Sequence, residues 1–227
     1  MATWVVTGAN RGIGLEIVRQ LAARGDEVFA CCRSASKELS AIAGVTVVSG
    51  VDVTSPEAAD VIKKALGGER GERDKTIDVL LHNAGILHPG GLDTLDVDSM
   101  RQQYEVNAIA PIRITKGLAD RLGSGSKVAV VSSRAGSIGD NGSGGLYGYR
   151  MSKAALNMGA VSLTRDLAPK GVFVAVLHPG FIRTEMTGGN GNEDPPVAAK
   201  GLIARIDELN ADRNGRFWHA NGDELPW

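Results

Sequence analysis

The sequence lacks the features that mark several large classes of protein. Its 227 residues contain two cysteines, Cys31 and Cys32, which are adjacent, so a disulfide between them would be strained. We therefore expect two small strand residues in a reducing compartment rather than the disulfide framework of a secreted domain. The formal net charge of −1 gives no reason to expect nucleic acid or an anionic membrane as a partner.

Long hydrophobic runs and targeting signals are also missing. No apolar run approaches the length of a membrane span, and the first residues lack the basic region and cleavage site of a secretory signal. These patterns predict a cytoplasmic protein with no membrane partner. Histidine is scarce and shows no metal-ligand spacing, so no metal site is expected; the four are His82, His88, His178 and His219.

What the sequence does have is a glycine-rich turn between a strand and a helix. Ala2–Val6 is short, apolar and β-branched, as a buried strand should be. The turn Thr7–Gly14 follows, and apolar residues then recur at helical spacing until about Gly25. Such glycines let the backbone approach a pyrophosphate at a helix N-terminus, although the spacing G-x-x-x-G-x-G differs from the commoner fingerprint. The candidate cofactor residues here are Gly8, Asn10, Arg11, Gly12, Ile13 and Gly14.

Apolar strands and helical patterns alternate along the whole chain. This alternation predicts an α/β fold, a doubly wound parallel sheet with helices on both faces, as a single domain over 1–227. The Gly- and Ser-rich segments 134–146 and 188–195 are too short to divide it. After the first strand, the predicted strands are Val28–Cys32, Val45–Ser49, Ile77–Leu81, Val128–Val131, Val172–Leu177 and a short one near Gly215–His219.

A second motif lies far downstream of the glycine turn. Ser133 ends a predicted strand, and Tyr149-Arg-Met-Ser-Lys153 follows on a predicted helix. Together with the glycine turn, this pattern resembles the short-chain dehydrogenase/reductase family over nearly all of the chain, which implies a Rossmann fold. The loop Gly139–Tyr149 and the C-terminal Gly222–Trp227 resemble the sniffer and C-factor group of carbonyl reductases.

Tyr149 and Lys153 are four residues apart, so on a helix they share one face. A free tyrosine has a pKa near 10, and bringing it to about 7 takes roughly 4 kcal/mol. One cation at ~4 Å in an effective dielectric of ~20 supplies about that much, so we expect Lys153 to lower the pKa of Tyr149. Ser133 or Ser132 could bind a substrate oxygen beside them, and the family pattern favours Ser133.

Asn107 lies in a helical pattern that runs from about 98 to 122 and contains Pro111. Proline has no amide to bond the carbonyl four residues earlier, which is that of Asn107, so this carbonyl needs another partner such as water. The resemblance implies that Asn107 is the family's catalytic asparagine, in a proton relay with Lys153. A kink that only fits the helix to the sheet is the alternative.

The end of the second strand indicates which cofactor is bound. NAD-binding sheets usually carry an acid there for the ribose hydroxyls, whereas this chain has Cys31-Cys32-Arg33-Ser34. Arg11 and Arg33 could hold a 2′-phosphate, with Asn10 and Ser34 nearby, so NADP(H) is expected rather than NAD(H). Two solvated surface arginines are the alternative.

Further cofactor contacts are implied by the resemblance. Asp52 and Val53 would meet the adenine, although a turn role for Asp52 is equally consistent. The motif His82-Asn83-Ala84-Gly85 resembles the family's Asn-Asn-Ala-Gly, with His82 as a departure. Residues 185–197 follow the sixth strand, so we also expect them to form a short lid over the substrate, with an inert loop as the alternative. The remaining implied contacts are Asn83, Ala84, Gly85, Tyr149, Lys153, Pro179, Gly180, Ile182 and Thr184.

These patterns lead to one main hypothesis and two competitors. The main one is an NADPH-dependent reductase of small-molecule aldehydes or ketones, in which Tyr149 donates the proton and Ser133 polarises the oxygen. The second is an NADP(H)-binding signalling protein of C-factor type with little catalytic role. An α/β hydrolase is weakened because no G-x-S-x-G elbow occurs. The resemblance also implies a homodimer or homotetramer.

Overall fold

The computed structural model describes residues 1–67 and 75–227. Strands and helices alternate as the sequence predicts. The strands are β1 Thr3–Thr7, β2 Glu27–Cys31, β3 Val45–Val48, β4 Ile77–His82, β5 Leu122–Val131, β6 Phe173–His178 and β7 Phe217–His219. The helices are α1 Gly12–Arg24, α2 Lys37–Ser40, α3 Ala58–Leu66, α4 Val97–Tyr104, α5 Ala110–Gly117, α6 Tyr147–Leu167 and α7 Pro195–Asp207.

The strands form one sheet in the order β3-β2-β1-β4-β5-β6-β7, and every pair is parallel. The order reverses beside β1, as in doubly wound folds. Thr7 at the end of β1 pairs with both Cys31 and His82, so the carboxyl ends of three adjacent strands lie level. The α/β fold class is therefore confirmed, and one edge of the sheet collects the loops that carry the candidate residues.

Each face of the sheet buries its own hydrophobic core. Successive side chains of a strand point to opposite faces, so neighbours in β1 belong to different cores. Val5 packs in one core with Ile62 of α3, and Val6 packs in the other with Leu21 of α1 and Leu202 of α7. Burying a side chain of this size contributes about 1.5–3 kcal/mol, so helix packing on both faces fixes the sheet. Of the described helices, none is long and apolar enough to cross a membrane.

The predicted helical stretch from about 98 to 122 is helical over 97–117, but it is not one regular α-helix and it ends earlier than predicted. The chain forms α4 and α5 with a wider turn of π-helix between them, over Glu105–Ile109. The amide of Ala110 donates to the carbonyl of Glu105, five residues earlier. Pro111 explains the break, because it offers no amide and its ring crowds the preceding turn. Asn107 lies in this widened turn, as the proline argument anticipated.

Strand β5 begins earlier than the sequence indicates. Its predicted part, Val128–Val131, is apolar, whereas Leu122–Ser126 contains two glycines and two serines, which have low strand propensity. Pairing of Leu122 with Ile77 and a hydrogen bond from Ser126 Oγ to the Ile77 carbonyl (2.7 Å) hold this extension. Long-range contacts therefore override local preference there.

The close approach of α1 to β1 gives a stability prediction. A Cβ at Gly14 would lie 2.2 Å from the Gly8 carbonyl oxygen, a backbone atom that cannot move aside easily. We expect Gly14→Ala to lower the free energy of unfolding by about 1–3 kcal/mol, as overpacking does. Thermal denaturation should show a fall in Tm of about 2–4 °C per kcal/mol in a chain of this size. Gly123→Ala, where a Cβ meets nothing within 4 Å, is the control; an equal Tm for the two variants would contradict the close-packing argument.

Candidate active site

A cleft of about 740 Å³ opens at the carboxyl edge of the sheet. This volume is within the range of cofactor sites in proteins. Most of the residues that the sequence nominated line the cleft. They are Gly8, Asn10, Arg11, Gly12, Ile13, Gly14, Arg33, Ser34, Asp52, Val53, Asn83, Ala84, Gly85, Tyr149, Lys153, Pro179 and Thr184.

The floor of the cleft is the glycine turn, which is tied to the end of β4. Asn83 Nδ2 donates to the carbonyl oxygens of Thr7 (3.1 Å) and Gly8 (3.0 Å). In return, Thr7 Oγ1 accepts from the amides of Asn83 and Ala84. A Cβ at Gly8 would lie 2.7 Å from the Cα of Ala84. The turn and β4 therefore meet at a distance that only glycine allows, and Asn83 holds the floor in place.

Cationic groups stand at one side of the cleft. Arg33 is exposed at the end of β2, and its charge contributes to lowering the pKa of Asp52, although hydrogen bonds from Thr54 are the larger cause. Asp52 accepts from the Thr54 amide (2.9 Å) and hydroxyl (2.7 Å), so it has the turn role that the sequence left open while also lining the cleft. Asp26, at the opposite end of β2, accepts from the Ala2 amide at 2.9 Å.

Arg11 forms an ion pair with Glu185 from the segment after β6. Both side chains are more than 70% exposed, so this pair adds little to stability. Glu185 and Met186, in the predicted lid 185–197, also line the cleft. The lining residues that sequence reasoning did not propose as contacts are Cys32, Val51, Thr54, Ile86, Val106 and Val131. The pair links the glycine turn to the predicted lid across the mouth of the cleft.

The predicted lid region is a folded loop of its own. Residues 181–183 pair with residues 192–193 through bonds from the Asn192 amide to the Phe181 carbonyl (2.7 Å) and from the Arg183 amide to the Glu193 carbonyl (2.9 Å). Ile182 is buried beneath it, with 3% of its surface exposed. Neither Ile182 nor Gly180 is among the described residues that line the cleft, and their cofactor contacts stay predictions.

Tyr149 and Lys153 lie together on α6, as the spacing predicts. Both are buried, and the Lys153 Nζ is 5.8 Å from the centre of the Tyr149 ring. Nζ donates to the carbonyl oxygen of Val131, the last residue of β5, at 2.8 Å. Burial without a carboxylate partner lowers the pKa of Lys153 to about 8. An ammonium group is thus anchored between α6 and the sheet edge.

The expectation that Lys153 makes Tyr149 more acidic is wrong for the protein by itself. Burial raises the pKa of Tyr149, and a hydrogen bond with Ser133 lowers it by a smaller amount. Desolvation penalises a phenolate strongly, and the Coulomb estimate from spacing left this penalty out. At neutral pH the phenol of Tyr149 is therefore protonated, which is the form of a proton donor.

The two serines that the sequence left open differ in their surroundings. Ser132 is 2% exposed, and its hydroxyl donates to Asn157 Oδ1 at 2.5 Å. Ser133 is half-buried, and its Oγ accepts from the Ala135 amide at 3.1 Å. Ser132 is among the described residues that line the cleft and Ser133 is not, but the Ser132 hydroxyl already bonds to Asn157, whereas the Ser133 hydroxyl bonds to the phenol of Tyr149.

Asn107 is fully buried behind the cleft. Its amide group exchanges two hydrogen bonds with the backbone of Ile86, both 2.9 Å long. Its Nδ2 also donates to Ser152 Oγ (3.0 Å), and Ser152 Oγ donates to the Tyr149 carbonyl (2.8 Å). Asn107 therefore connects the π turn and the segment after β4 to the helix that carries Tyr149 and Lys153.

His82, the departure from the family motif, has a structural role. Its Nε2 lies 2.8 Å from Thr115 Oγ1 of α5, and burial lowers the pKa of His82 to about 3. The ring is neutral at physiological pH and joins β4 to α5. At the position where the sequence departs from the family motif, His82 thus makes a buried hydrogen bond with a hydroxyl group of α5.

Comparison with known sequences agrees with this architecture. The fold and the cleft define a Rossmann-type α/β protein with a buried tyrosine–lysine pair. A model of the short chain dehydrogenase family matches residues 2–195. The chain therefore belongs to the short-chain dehydrogenase family and is an oxidoreductase of that family.

Two relatives illustrate the range of functions around this chain. A 1-hydroxy-2-glutathionyl-2-methyl-3-butene dehydrogenase of Rhodococcus sp. (strain AD45) is 42% identical over 231 residues, covering 100% of both chains. The C-signal of Myxococcus xanthus is 40% identical over 154 residues, which covers 66% of this chain and 93% of that protein.

Solved structures of carbonyl reductases have the same fold as this chain. The carbonyl reductase Sniffer of D. melanogaster superposes with a TM-score of 0.91 at 27% identity, covering 100% of both chains. An NADPH-bound carbonyl reductase from chicken fatty liver gives a TM-score of 0.88 at 28% identity, covering 100% of this chain and 99% of that one. The predicted similarity to the sniffer and C-factor group is confirmed.

The buried ammonium of Lys153 gives a prediction about stability and pH. Its folded pKa of about 8 lies below the value near 10.4 of an unfolded lysine. Between these values the unfolded chain binds more protons, so the free energy of unfolding rises with pH. Lys153→Met should remove this rise, which is at most about 1.4 kcal/mol per pH unit for one group. The variant's stability relative to wild type should therefore decline from pH 8 to pH 10 in denaturant titrations.

Lys170→Met, which removes an exposed lysine, is the control. A constant difference between Lys153→Met and wild type across this pH range would contradict the assignment of a desolvated ammonium.

Proposed function

We propose that the protein is an NADPH-dependent carbonyl reductase that converts an aldehyde or ketone to the alcohol. The observation that carries the proposal is the buried Tyr149–Lys153 pair, which lines the same cleft as the glycine turn and has Ser133 beside it. A protein that only binds a nucleotide has no need for a protonated phenol, a hydroxyl and a desolvated ammonium in one place.

The cleft fits a dinucleotide phosphate. Gly8 and Gly14 leave the backbone open at the N-terminus of α1, where pyrophosphate is favoured. Arg11 and Arg33 offer guanidinium groups for a 2′-phosphate, and no carboxylate occupies the end of β2 to select ribose hydroxyls. Asp52, Val53, Asn83, Ala84, Gly85, Pro179, Gly180, Ile182 and Thr184 complete the proposed contacts. The NADPH-bound structure of a carbonyl reductase with this fold supports the choice of cofactor.

The chemistry divides among four side chains. NADPH, when bound, supplies the hydride that reduces the carbonyl carbon. The Ser133 hydroxyl donates a hydrogen bond to the carbonyl oxygen, and Tyr149 gives that oxygen its proton. Lys153 compensates the charge that develops on the phenolate, and Asn107 holds α6 and the segment after β4 in register for the proton relay. Burial favours reduction over oxidation, because it keeps Tyr149 protonated until the carbonyl oxygen accepts the proton.

The relatives suggest two extensions to the first assay. The Rhodococcus dehydrogenase is named for an alcohol with a glutathionyl substituent, so such an alcohol with NADP⁺ belongs in the panel beside aldehydes and ketones with NADPH. The similarity to C-signal keeps a signalling protein as the competing function. Consumption of NADPH with any carbonyl of the panel favours the enzyme; tight NADPH binding with no turnover favours the signalling protein.

Assembly as a homodimer or homotetramer, a lid over 185–197 and a cytoplasmic location stay predictions.

Replacement of the proton donor tests the role of Tyr149. Tyr149→Phe keeps the buried ring but removes the hydroxyl, so we expect kcat to fall by at least about 10²-fold, the lower range for general acid catalysis. The dissociation constant of NADPH, measured by fluorescence titration, should change little. Tyr147→Phe, a half-exposed neighbour on the same helix, is the matched control. Reduction at a near wild-type rate by Tyr149→Phe would contradict the assignment of Tyr149 as the proton donor.

Cofactor preference tests the two arginines. Charge-assisted bonds to phosphate are worth roughly 1.5–3 kcal/mol each, so after a discount for exposure we expect about a ten- to hundredfold preference for NADPH. Arg33→Asp should delete one bond and place an acid near the ribose, which shifts the kcat/KM ratio toward NADH. Arg165→Asp, an exposed arginine on α6 outside the cleft, is the control. Equal use of both cofactors by the wild type would show that Arg11 and Arg33 do not select a 2′-phosphate.

A further inference from the structure

The loop that joins Ser133 to Tyr149 ends in an unusual backbone conformation. Gly144, Gly145 and Leu146 have φ angles of 62°, 65° and 49°, so three successive residues are left-handed. Among the described residues other than glycine, Leu146 alone has a positive φ. A left-handed conformation is unfavourable for such a residue and persists only where other contacts hold it. One group in particular holds this turn.

That group is the guanidinium of Arg150, the residue after Tyr149. Its Nε donates to the carbonyl oxygens of Gly144 and Gly145, both at 3.2 Å. Its Nη2 donates to Ser143 Oγ at 2.8 Å, and its Nη1 to the carbonyl oxygen of Ala135 at 3.4 Å. Successive residues of like conformation point their carbonyls the same way, which explains how one nitrogen serves two of them. A single side chain therefore contacts both ends of the loop.

The two ends of this loop carry the two groups of the proposed chemistry. Ala135 is in the short turn Arg134–Gly136 that directly follows Ser133, and Ser143–Gly145 leads into α6 and Tyr149. The amide of Leu146 also donates to the carbonyl of Gly90, in the segment after β4, at 2.8 Å. The loop therefore closes over the same sheet edge as the cleft, and its base is tied by Arg150.

The contacts of Arg150 differ from those of a surface ion pair. Within the described parts of the chain, the hydrogen-bond partners of Arg150 are three carbonyls and a hydroxyl, and no carboxylate is among them. Recognition of acceptors in several directions depends on the rigid fork of guanidinium, which a lysine ammonium does not reproduce. The side chain is half-buried and lies outside the set of described residues that line the cleft. Its action is on the loop, at a distance from the cofactor residues.

We propose that Arg150 is a positioning residue that fixes the Ser133 turn relative to Tyr149 and shapes the entrance for the carbonyl substrate. This inference rests on the proposed reductase function. It predicts that loss of the guanidinium loosens the loop and weakens substrate binding, while NADPH binding is unchanged. It also predicts that lysine at position 150 does not restore substrate binding, because the loop is held by the several donors of a guanidinium and not by a positive charge alone.

The test compares Arg150→Met and Arg150→Lys with wild type and with Arg165→Met, which removes an exposed arginine from the same helix. Hydrogen–deuterium exchange of the amides in residues 141–146 reports on the loop without any substrate. Steady-state kinetics with a carbonyl substrate and NADPH give KM and kcat separately, and fluorescence titration gives the NADPH dissociation constant. Several charge-assisted bonds are lost, so we expect KM to rise by about tenfold or more in both Arg150 variants, with kcat changed less.

The expected result is faster exchange in 141–146 and a raised KM for both Arg150 variants, an unchanged NADPH dissociation constant, and wild-type behaviour of Arg165→Met. Unchanged loop exchange in Arg150→Met would overturn the proposal, and so would full rescue of KM by Arg150→Lys. A rise in the NADPH dissociation constant of the Arg150 variants as large as the rise in KM would also overturn the proposal, since the substitution would then disturb the cofactor site as well as the loop. If the wild type reduced no carbonyl, the proposed function and the substrate role of Arg150 would both be wrong, while the exchange data would still decide whether Arg150 holds the loop.

Discussion

The alignment of parallel strand ends is the constraint on which the rest of the structure depends. Because every strand runs in the same direction, the loops after β1, β2, β4, β5 and β6 all emerge at one edge of the sheet. Residues as distant in sequence as Gly8, Asn83, Tyr149 and Thr184 thereby line one cleft. The bonds from Asn83 to the glycine turn fix this edge further, because they join two strands where the backbones come closest. The two hydrophobic cores keep the sheet in place but do not themselves form the site.

Burial at this edge sets the chemistry of the titratable groups. The same desolvation raises the pKa of Tyr149 and lowers that of Lys153, so each group is pushed toward its neutral form. A tyrosine that stays protonated suits proton donation, and a lysine with a pKa of about 8 still carries its charge at neutral pH. In the proposed reaction, Lys153 would act on the phenolate as it forms rather than on the resting phenol. Desolvation by the fold and compensation by the lysine are therefore complementary parts of one arrangement.

Much of the fold and the site follows from local sequence. The glycine turn, the four-residue spacing of Tyr149 and Lys153 and the apolar strands have short-range causes, and the structure confirms their placement. Pro111 predicted where the backbone of the helix departs from regularity, but the split into two helices with a π turn depends on how the chain packs. The ion pair of Arg11 with Glu185 joins residues 174 positions apart. The hydrogen bonds from Arg150 to its loop depend on the backbone angles of that loop. Neither has a signature that sequence spacing could reveal.

The central claim is that Tyr149 and its neighbours support hydride transfer to a carbonyl, beyond the binding of a nucleotide. The most direct measurement uses NADPH that carries deuterium at the transferable position of the nicotinamide, with mass spectrometry of the alcohol formed from a panel of aldehydes and ketones. The account predicts one deuterium on the carbinol carbon with the wild-type protein. Binding of NADPH without transfer of the label to any carbonyl compound would contradict it and would favour a nucleotide-binding signalling protein.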